Sequence, residues 1–290
     1  MSEYILFTDS CCDLPQSLAD EMQLAIQPLT VYLDGKAYRN FLDEREISYK
    51  DFYEMLPNCK EAKTSAVNQH DFMVAMEPML QAGKDILYLG FSSGLSGTYS
   101  ASVMAAEELS AKYPERKIVT VDTLCASLGQ GMLVYLAWLQ KKAGKTIEEV
   151  RDYVESIKLN QCHWFTVNDL FHLKRGGRVS GATALIGSML GIKPVMHVDN
   201  EGHLVATGKV RGRKASIKAL VDEMKKLAIK PEEQVIFISH GNCPEEAEAM
   251  AETIRNELKV KDIIINSIGP VIGSHSGPGT MALFFLGTER

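Results

Sequence analysis

The chain has 290 residues, of which 46% are hydrophobic and 23% charged, which is ordinary for a globular protein with a sizeable core. The formal net charge of -6 gives no basic footprint for nucleic acid, and no run of about 18 apolar residues is present to span a bilayer. The start, MSEYILFTDS, lacks the basic and apolar segments of a signal peptide, so we expect a cytoplasmic protein that does not bind nucleic acid.

The first half of the chain alternates short apolar runs with helical patterns. Strands are predicted at 4–8, 85–91 and 117–121, and helices at 14–22, 98–112 and 129–142. Thr146 is predicted to cap the next helix, because Glu149 three residues later completes a capping box. This alternation predicts a parallel, Rossmann-like sheet.

The pattern changes after about residue 160, which predicts a second domain. Two β-rich runs within 193–210 are joined by Asp199-Asn200-Glu201-Gly202, as in an antiparallel hairpin. Helical apolar stripes follow at 217–227 and 247–258, with strands at 234–239, 262–267 and 281–286. We therefore expect an α/β fold of two domains, 1–160 with a parallel sheet and 161–290 with a mixed α/β structure.

Hydroxyl side chains follow the predicted strands, at the edge where a parallel sheet binds its ligands. The segment 92–98 is the densest of these, with four hydroxyls and two glycines at the start of a helix. Each hydroxyl alone suits a helix cap, but together they suit a carboxylate or phosphate. The segment lacks the Gly-Lys-Ser/Thr of a phosphate loop and the last glycine of G-x-S-x-G, so neither a nucleotide hydrolase nor an α/β-hydrolase is supported.

Thr64 and Ser65 precede Asn68, which is predicted to cap a helix that Pro78 kinks or shortens. From spacing alone the two hydroxyls either face the same crevice or belong to an ordinary loop.

Two further segments carry ionisable groups beside glycines. Arg175 and Arg178 flank a glycine pair, which suits an anionic ligand if it is not a solvated turn. Residues 268–279 are too rich in glycine and proline for a predicted helix or strand, and their one ionisable group is His275. The cysteines lack C-x-x-C spacing, so no metal site is expected.

Five segments in this order resemble the DegV family of fatty-acid-binding proteins, which includes the FakB subunits of bacterial fatty acid kinase. The resemblance covers nearly the whole chain, and its carriers are Phe7-Thr8-Asp9-Ser10 with Asp13-Leu14-Pro15, Lys63-Thr64-Ser65, and the segments 92–98, 173–178 and 268–279. In place of the family's frequent Thr-Ser-Gln-Pro the chain has Thr64-Ser65-Ala66-Val67, which retains the first hydroxyl.

The resemblance implies a two-domain DegV-like fold that binds a long-chain fatty acid of about C14 to C18, whose tail gains roughly 0.8 kcal/mol per buried CH₂. It implies a carboxylate site formed by Thr64, Ser65, Ser93, Ser96 and His275. A separate kinase subunit would phosphorylate the carboxylate to an acyl phosphate, which an acyltransferase would pass to phospholipid synthesis. Arg175 and Arg178 would serve the head group or the docked kinase. The chain itself would be no catalyst, would need no cofactor, and would contact membranes at most transiently.

Two other hypotheses remain open on the sequence alone. One is a serine hydrolase that uses Ser10, Ser93 or Ser96 with His275 as base. Its third group would be Asp9 or Asp122. The other is an anion-, phosphate- or nucleotide-binding module built on the turn at 92–98.

Overall fold

Three sheets organise the computed structural model, which describes residues 3–179 and 191–290. The strands are β1 (Tyr4–Asp9), β2 (Ala25–Gln27), β3 (Thr30–Leu33), β4 (Lys36–Arg39), β5 (Ala62–Ser65), β6 (Asp85–Gly90), β7 (Ile118–Asp122), β8 (Gln161–Thr166), β9 (Ile192–Val198), β10 (Leu204–Arg211), β11 (Val235–His240), β12 (Asp262–Ser267) and β13 (Met281–Leu286). The helices are α1 (Gln16–Glu21), α2 (Tyr49–Met55), α3 (Gln69–Gln81), α4 (Thr98–Lys112), α5 (Leu128–Lys142), α6 (Ile147–Ile157), α7 (Leu170–Gly176), α8 (Arg213–Leu227), α9 (Pro244–Leu258) and α10 (Pro270–Ser276).

The first sheet is parallel and has the strand order β2-β1-β6-β7. Its central strand β6 is buried along its whole length, as a parallel strand covered on both faces must be. The prediction of a parallel sheet is therefore confirmed, although β2 was not predicted. The carboxyl ends of β6 and β7 lie side by side, since Gly90 pairs with Asp122.

A small antiparallel sheet with the order β4-β3-β5 was not predicted. Its strands have four residues each, and the exposed Lys36 and Arg39 of β4 hide the alternation that marks a longer strand. Thr64 and Ser65 end β5 and pair with β3, so the interpretation of these residues as an ordinary loop is wrong.

The third sheet is mixed, with the order β10-β9-β8-β13-β11-β12. Strands β11 and β12 are parallel, whereas β8, β9, β10 and β13 join the sheet in antiparallel pairs. The predicted hairpin is confirmed as β9 and β10, closed by a turn in which the Gly202 amide donates to the Asp199 carbonyl at 3.0 Å. All the described strands of the mixed sheet lie after residue 160, where the second group of strands was predicted.

Helix α5 joins the parallel sheet to the mixed sheet, because one hydrophobic cluster contains residues of both. Two glycines permit this close packing. A Cβ on Gly129 would lie 2.9 Å from the Phe284 ring of β13, and a Cβ on Gly131 would lie 2.6 Å from the Cys12 carbonyl oxygen after β1. The predicted apolar helix is thus confirmed as a shared core element.

Two local predictions are wrong. Residues 270–276 form helix α10 despite their glycines, because Pro270 starts a helix favourably and Gly273 lets the helix pack on Tyr53. Helix α3 is also not shortened at Pro78 but runs to Gln81, since its buried side chains, including Phe72 and Leu80, hold it in the core. The predicted caps at Asn68 and Thr146 are both present.

Candidate functional site

An apolar cavity with about 850 Å³ of space free of protein atoms lies where the small sheet, the mixed sheet and α10 meet. The apolar part of its wall is formed by Leu29, Phe91, Leu95, Phe165, Leu173, Leu204, Ile268, Val271, Ile272 and Ala282. A long apolar ligand is the kind of molecule that such a wall binds.

Hydroxyl side chains and one imidazole form a polar end of the apolar cavity. Thr64, Ser65, Ser96 and His275 all line it. Thr64 Oγ1 lies 2.8 Å from His275 Nε2, which brings together two residues 211 positions apart in the chain. The structure thus unites four of the five side chains predicted for a carboxylate.

Local hydrogen bonds hold Ser96 and β5 in this arrangement. Ser96 Oγ lies 2.9 Å from Thr98 Oγ1 and accepts a hydrogen bond from the Thr98 amide at 3.2 Å. Thr98 Oγ1 in turn accepts from the Val67 amide at 3.3 Å, just beyond the end of β5. The start of α4 and the end of β5 are therefore tied together, which fixes the distance between Ser96 and Thr64.

His275 is the one imidazole at this polar end among the residues that the structure describes. Burial, together with the nearby charge of Arg178, lowers the pKa of His275 to about 4. The ring is therefore neutral at pH 7, with one nitrogen that donates and one that accepts. The α7 residue Gly176 packs directly on Nδ1 of this ring, where a side chain would collide with it.

Ser93 does not join the other predicted carboxylate ligands. Its side chain is exposed and lies outside the apolar cavity, and its amide donates to Asp122 Oδ1 at 3.3 Å. Leu95 and Ser96 line the cavity, whereas Ser93 is exposed to solvent. Of the two predicted serines in this turn, only Ser96 therefore belongs to the polar end of the cavity.

The two arginines lie on different sides of His275. Arg178 lines the apolar cavity, and its Nε donates to the Leu95 carbonyl at 3.4 Å. Arg175 lines a second cavity with about 1130 Å³ of space free of protein atoms, where its Nη2 lies 3.2 Å from His172 Nδ1. Lys60, Lys63 and Glu61 also line the second cavity, and Glu61 pairs with Lys63 at 2.7 Å, so cations outnumber carboxylates in its wall. His275 belongs to the walls of both cavities.

Sequence reasoning missed several polar residues of the apolar cavity, namely Ser127, His163, Ser239 and Ser276. Ser127 Oγ lies 2.6 Å from Asp13 Oδ2 and 2.9 Å from Ser239 Oγ. Burial raises the pKa of Asp13 to about 7. A signal for Ser127 exists in hindsight, since it follows a parallel strand directly before a buried helix.

The two aspartates considered as hydrolase partners are bonded to other groups. Asp9 accepts hydrogen bonds from the Tyr88 hydroxyl at 2.7 Å and the Phe91 amide at 2.9 Å. Asp122 accepts from the amides of Ser93 and Leu124. Neither aspartate is therefore hydrogen-bonded to His275, as the orienting group of a general base would be. The hydrogen-bonded neighbour of His275 is Thr64.

Residues 3–179 and 191–290 contain no group of three or more His, Cys, Asp or Glu side chains placed to hold a metal ion. In the same part of the chain no helix combines the length and the apolar character needed to cross a membrane.

Fold and cavity together define an α/β protein with an apolar cavity that is polar at one end. A family model described as an uncharacterised protein of the DegV family matches residues 4–288. The chain is 48% identical over 290 residues to the DegV domain-containing protein CPE0026 of Clostridium perfringens, an alignment that covers 100% of this chain and 99% of the relative. The chain therefore belongs to the DegV family.

Solved structures of family members share the whole fold. A DegV family protein of Thermus thermophilus, described as binding fatty acid, is 31% identical with a TM-score of 0.89, covering 98% of this chain and 99% of that one. DegV of Bacillus subtilis, described as a fatty acid binding protein, is 29% identical with a TM-score of 0.85 and the same coverage. The predicted DegV-like α/β fold, with a parallel sheet and a mixed sheet, is thus confirmed.

Proposed function

We propose that this chain binds one long-chain fatty acid, with its tail in the apolar cavity and its carboxylate at the polar end. The observation that carries this proposal is the Thr64–His275 contact of 2.8 Å at the polar end of a cavity with a largely apolar wall. The fatty acid binding described for the Thermus thermophilus and Bacillus subtilis proteins supports it.

The ligand's affinity comes chiefly from its tail. At roughly 0.8 kcal/mol per CH₂, a tail of about sixteen carbons offers on the order of ten kcal/mol before the costs of ordering. The carboxylate loses water on entry, so it needs hydrogen-bond donors. The hydroxyls of Thr64, Ser65 and Ser96 and the neutral ring of His275 supply them, with the guanidinium of Arg178 beside them.

We propose further that the protein presents the bound carboxylate to a separate kinase subunit in the cytoplasm, and is not itself a catalyst. A carboxylate at His275 would lie at the wall shared with the second cavity, whose basic side chains suit a phosphate donor. There a carboxylate oxygen would bond to the terminal phosphorus of the nucleotide as the bond to the diphosphate breaks. The acyl phosphate would then pass to an acyltransferase for phospholipid synthesis.

Removing the Thr64 hydroxyl tests the carboxylate site. Thr64→Val keeps the volume and removes one donor, so we expect about tenfold weaker binding of stearic acid to delipidated protein. Native mass spectrometry of the titrated protein measures this. Ser100→Ala, which removes an exposed hydroxyl of α4, is the matched control and should bind as the wild type does. Equal affinity of all three proteins would contradict the proposed site.

The two arginines separate fatty acid binding from presentation to the kinase. We expect Arg175→Glu to bind stearic acid normally but to lower kinase-dependent acyl phosphate formation at least about tenfold, because it reverses a charge in the second cavity. Arg178→Glu should weaken stearic acid binding itself, since this side chain lines the apolar cavity. Unchanged turnover with Arg175→Glu would remove the second cavity from the reaction.

A further inference from the structure

The floor of the apolar cavity carries polar groups on elements other than β5 and the Ser96 turn. It is formed by one face of β8, β13 and β11, on which Ala282 pairs with Phe165 on one side and with Ser239 on the other. Ser276, at the end of α10, completes the floor, and its carbonyl accepts a hydrogen bond at 3.0 Å from Thr280 Oγ1 just before β13. His163 pairs with Phe284 two positions along. His163 and Ser239 therefore face the cavity from strands on either side of β13, and both line it.

Two of these floor groups have no hydrogen-bond partner within the part of the chain that the structure describes. They are His163 Nδ1 and Ser276 Oγ, on side chains that are only 4% and 6% exposed. The His163 ring is walled by aromatic neighbours, with centroids 4.6 Å from Phe284 and 5.7 Å from Phe165. A plain alkyl tail would leave both groups unpaired, which is costly for buried polar atoms.

The chemistry of the floor suits a neutral oxygen group that both donates and accepts. Burial and the charge of Arg290 lower the pKa of His163 well below its usual value, so its ring offers one N–H and one lone pair. The serine hydroxyls offer both as well. A second carboxylate fits poorly, because the Asp13 carboxyl lies directly behind Ser127 at 2.6 Å.

We propose that the preferred ligand is a fatty acid with a hydroxyl group along its chain, bonded to His163 and to the serine hydroxyls of the floor. This proposal rests on the proposed fatty acid binding and names the substrate class of that same cavity. The unpaired Nδ1 of His163 and Oγ of Ser276 are the groups that such a hydroxyl would satisfy.

Competition between hydroxylated and plain chains tests the proposal. Delipidated protein is titrated with stearic acid and with monohydroxystearic acids whose hydroxyl is placed at successive positions. We expect one positional isomer to bind about tenfold tighter than stearic acid, the effect of one well-placed buried hydrogen bond. Equal or weaker binding of every isomer, with stearic acid still bound, overturns this inference alone. Failure of all chains to bind contradicts the proposed function instead.

Variants of the floor assign the effect to its residues. His163→Phe keeps an aromatic ring but removes both ring nitrogens, so the ratio of its affinities for the hydroxylated isomer and for stearic acid should fall from about ten to about one. Ser276→Ala should reduce that preference and is a second variant if His163→Phe fails to fold. His197→Phe is the matched control, since His197 pairs with Trp164 on β8 but does not line the cavity. A preference that survives both His163→Phe and Ser276→Ala overturns the assignment.

Discussion

At the residue scale, His275 links ligand binding to pH. Its pKa is about 4 in the unliganded protein because the ring is buried beside Arg178. A bound carboxylate favours the charged imidazolium and raises this pKa, so the complex holds more protons than the free protein. The contribution of His275 to carboxylate affinity is then largest at acidic pH, and it falls as pH rises through the raised pKa of the imidazole.

We therefore expect wild-type affinity for stearic acid to fall as pH rises from about 5 to about 7, relative to His275→Gln. His275→Gln lacks the titrating imidazole, so its affinity changes with pH only through ionisation of the fatty acid. That ionisation should raise the affinity as pH rises, which is the opposite direction. Calorimetric titration at several pH values, in buffers of different ionisation enthalpy, measures both affinity and proton uptake. Parallel pH profiles of the two proteins would show that His275 does not contact the carboxylate.

Most single site residues were predictable because their chemistry is conspicuous in the sequence. A hydroxyl-rich turn before a helix indicated Ser96, and a histidine among glycines indicated His275. Which of Ser93 and Ser96 turns inward was not predictable, since it depends on how the turn is tied to β5. His163 was missed because a histidine inside a buried strand carries no local signal of what it faces.

At the element scale, the contact between α7 and α10 positions the imidazole. Gly176 packs against Nδ1 of His275, while Nε2 on the other side of the ring meets Thr64. A larger residue in α7 would push the ring away from Thr64. The glycine pair was interpreted as part of a basic turn. Its first residue, Gly176, instead provides space for the His275 ring.

Gly176→Ala should lower stearic acid affinity about tenfold by displacing His275, and it should also lower the unfolding temperature, because the added Cβ would collide with the buried ring. Gly208→Ala is the matched control, since a Cβ there meets nothing within 4 Å. Fluorescent fatty acid displacement measures the affinity, and thermal unfolding measures the stability. Wild-type affinity in Gly176→Ala would mean that the ring position is unimportant for binding.

Long elements with clear periodicity were predictable from the sequence, whereas short ones were not. Helix α4 begins and ends where its pattern predicts, and the hairpin of β9 and β10 follows its turn residues. Strands β3 to β5 and helix α10 are too short to show a period, and tertiary packing fixes them. These unpredicted elements carry Thr64, Ser65 and His275, so three of the four side chains at the polar end lie where the sequence says least.

At the scale of the whole molecule, we propose a domain boundary at residues 160 and 161, between α6 and β8. The two halves are not independent, because α5 of the first half packs on β13 and β11 of the second within one hydrophobic cluster. Asp13 adds a polar link, since its Oδ1 accepts from the Gly269 amide at 3.0 Å. A shared core predicts cooperative unfolding of both halves.

The two tryptophans of the chain report on this cooperativity separately, because Trp138 lies in α5 and Trp164 in β8. Trp138→Phe leaves Trp164 to report on the second half, and Trp164→Phe leaves Trp138 to report on the first half. We expect both variants to give fluorescence transitions in urea that coincide with their far-ultraviolet circular dichroism. Separate midpoints within one variant would show that the two halves unfold independently.

The central claim is that the apolar cavity holds a fatty acid with its carboxylate at Thr64 and His275. A crystal structure of the delipidated protein with added stearic acid tests this most directly. We expect a carboxylate within hydrogen-bond distance of Thr64 Oγ1 and His275 Nε2, with the alkyl chain among the side chains that line the cavity. A cavity that excludes the added fatty acid, or a carboxylate bound elsewhere, would contradict it.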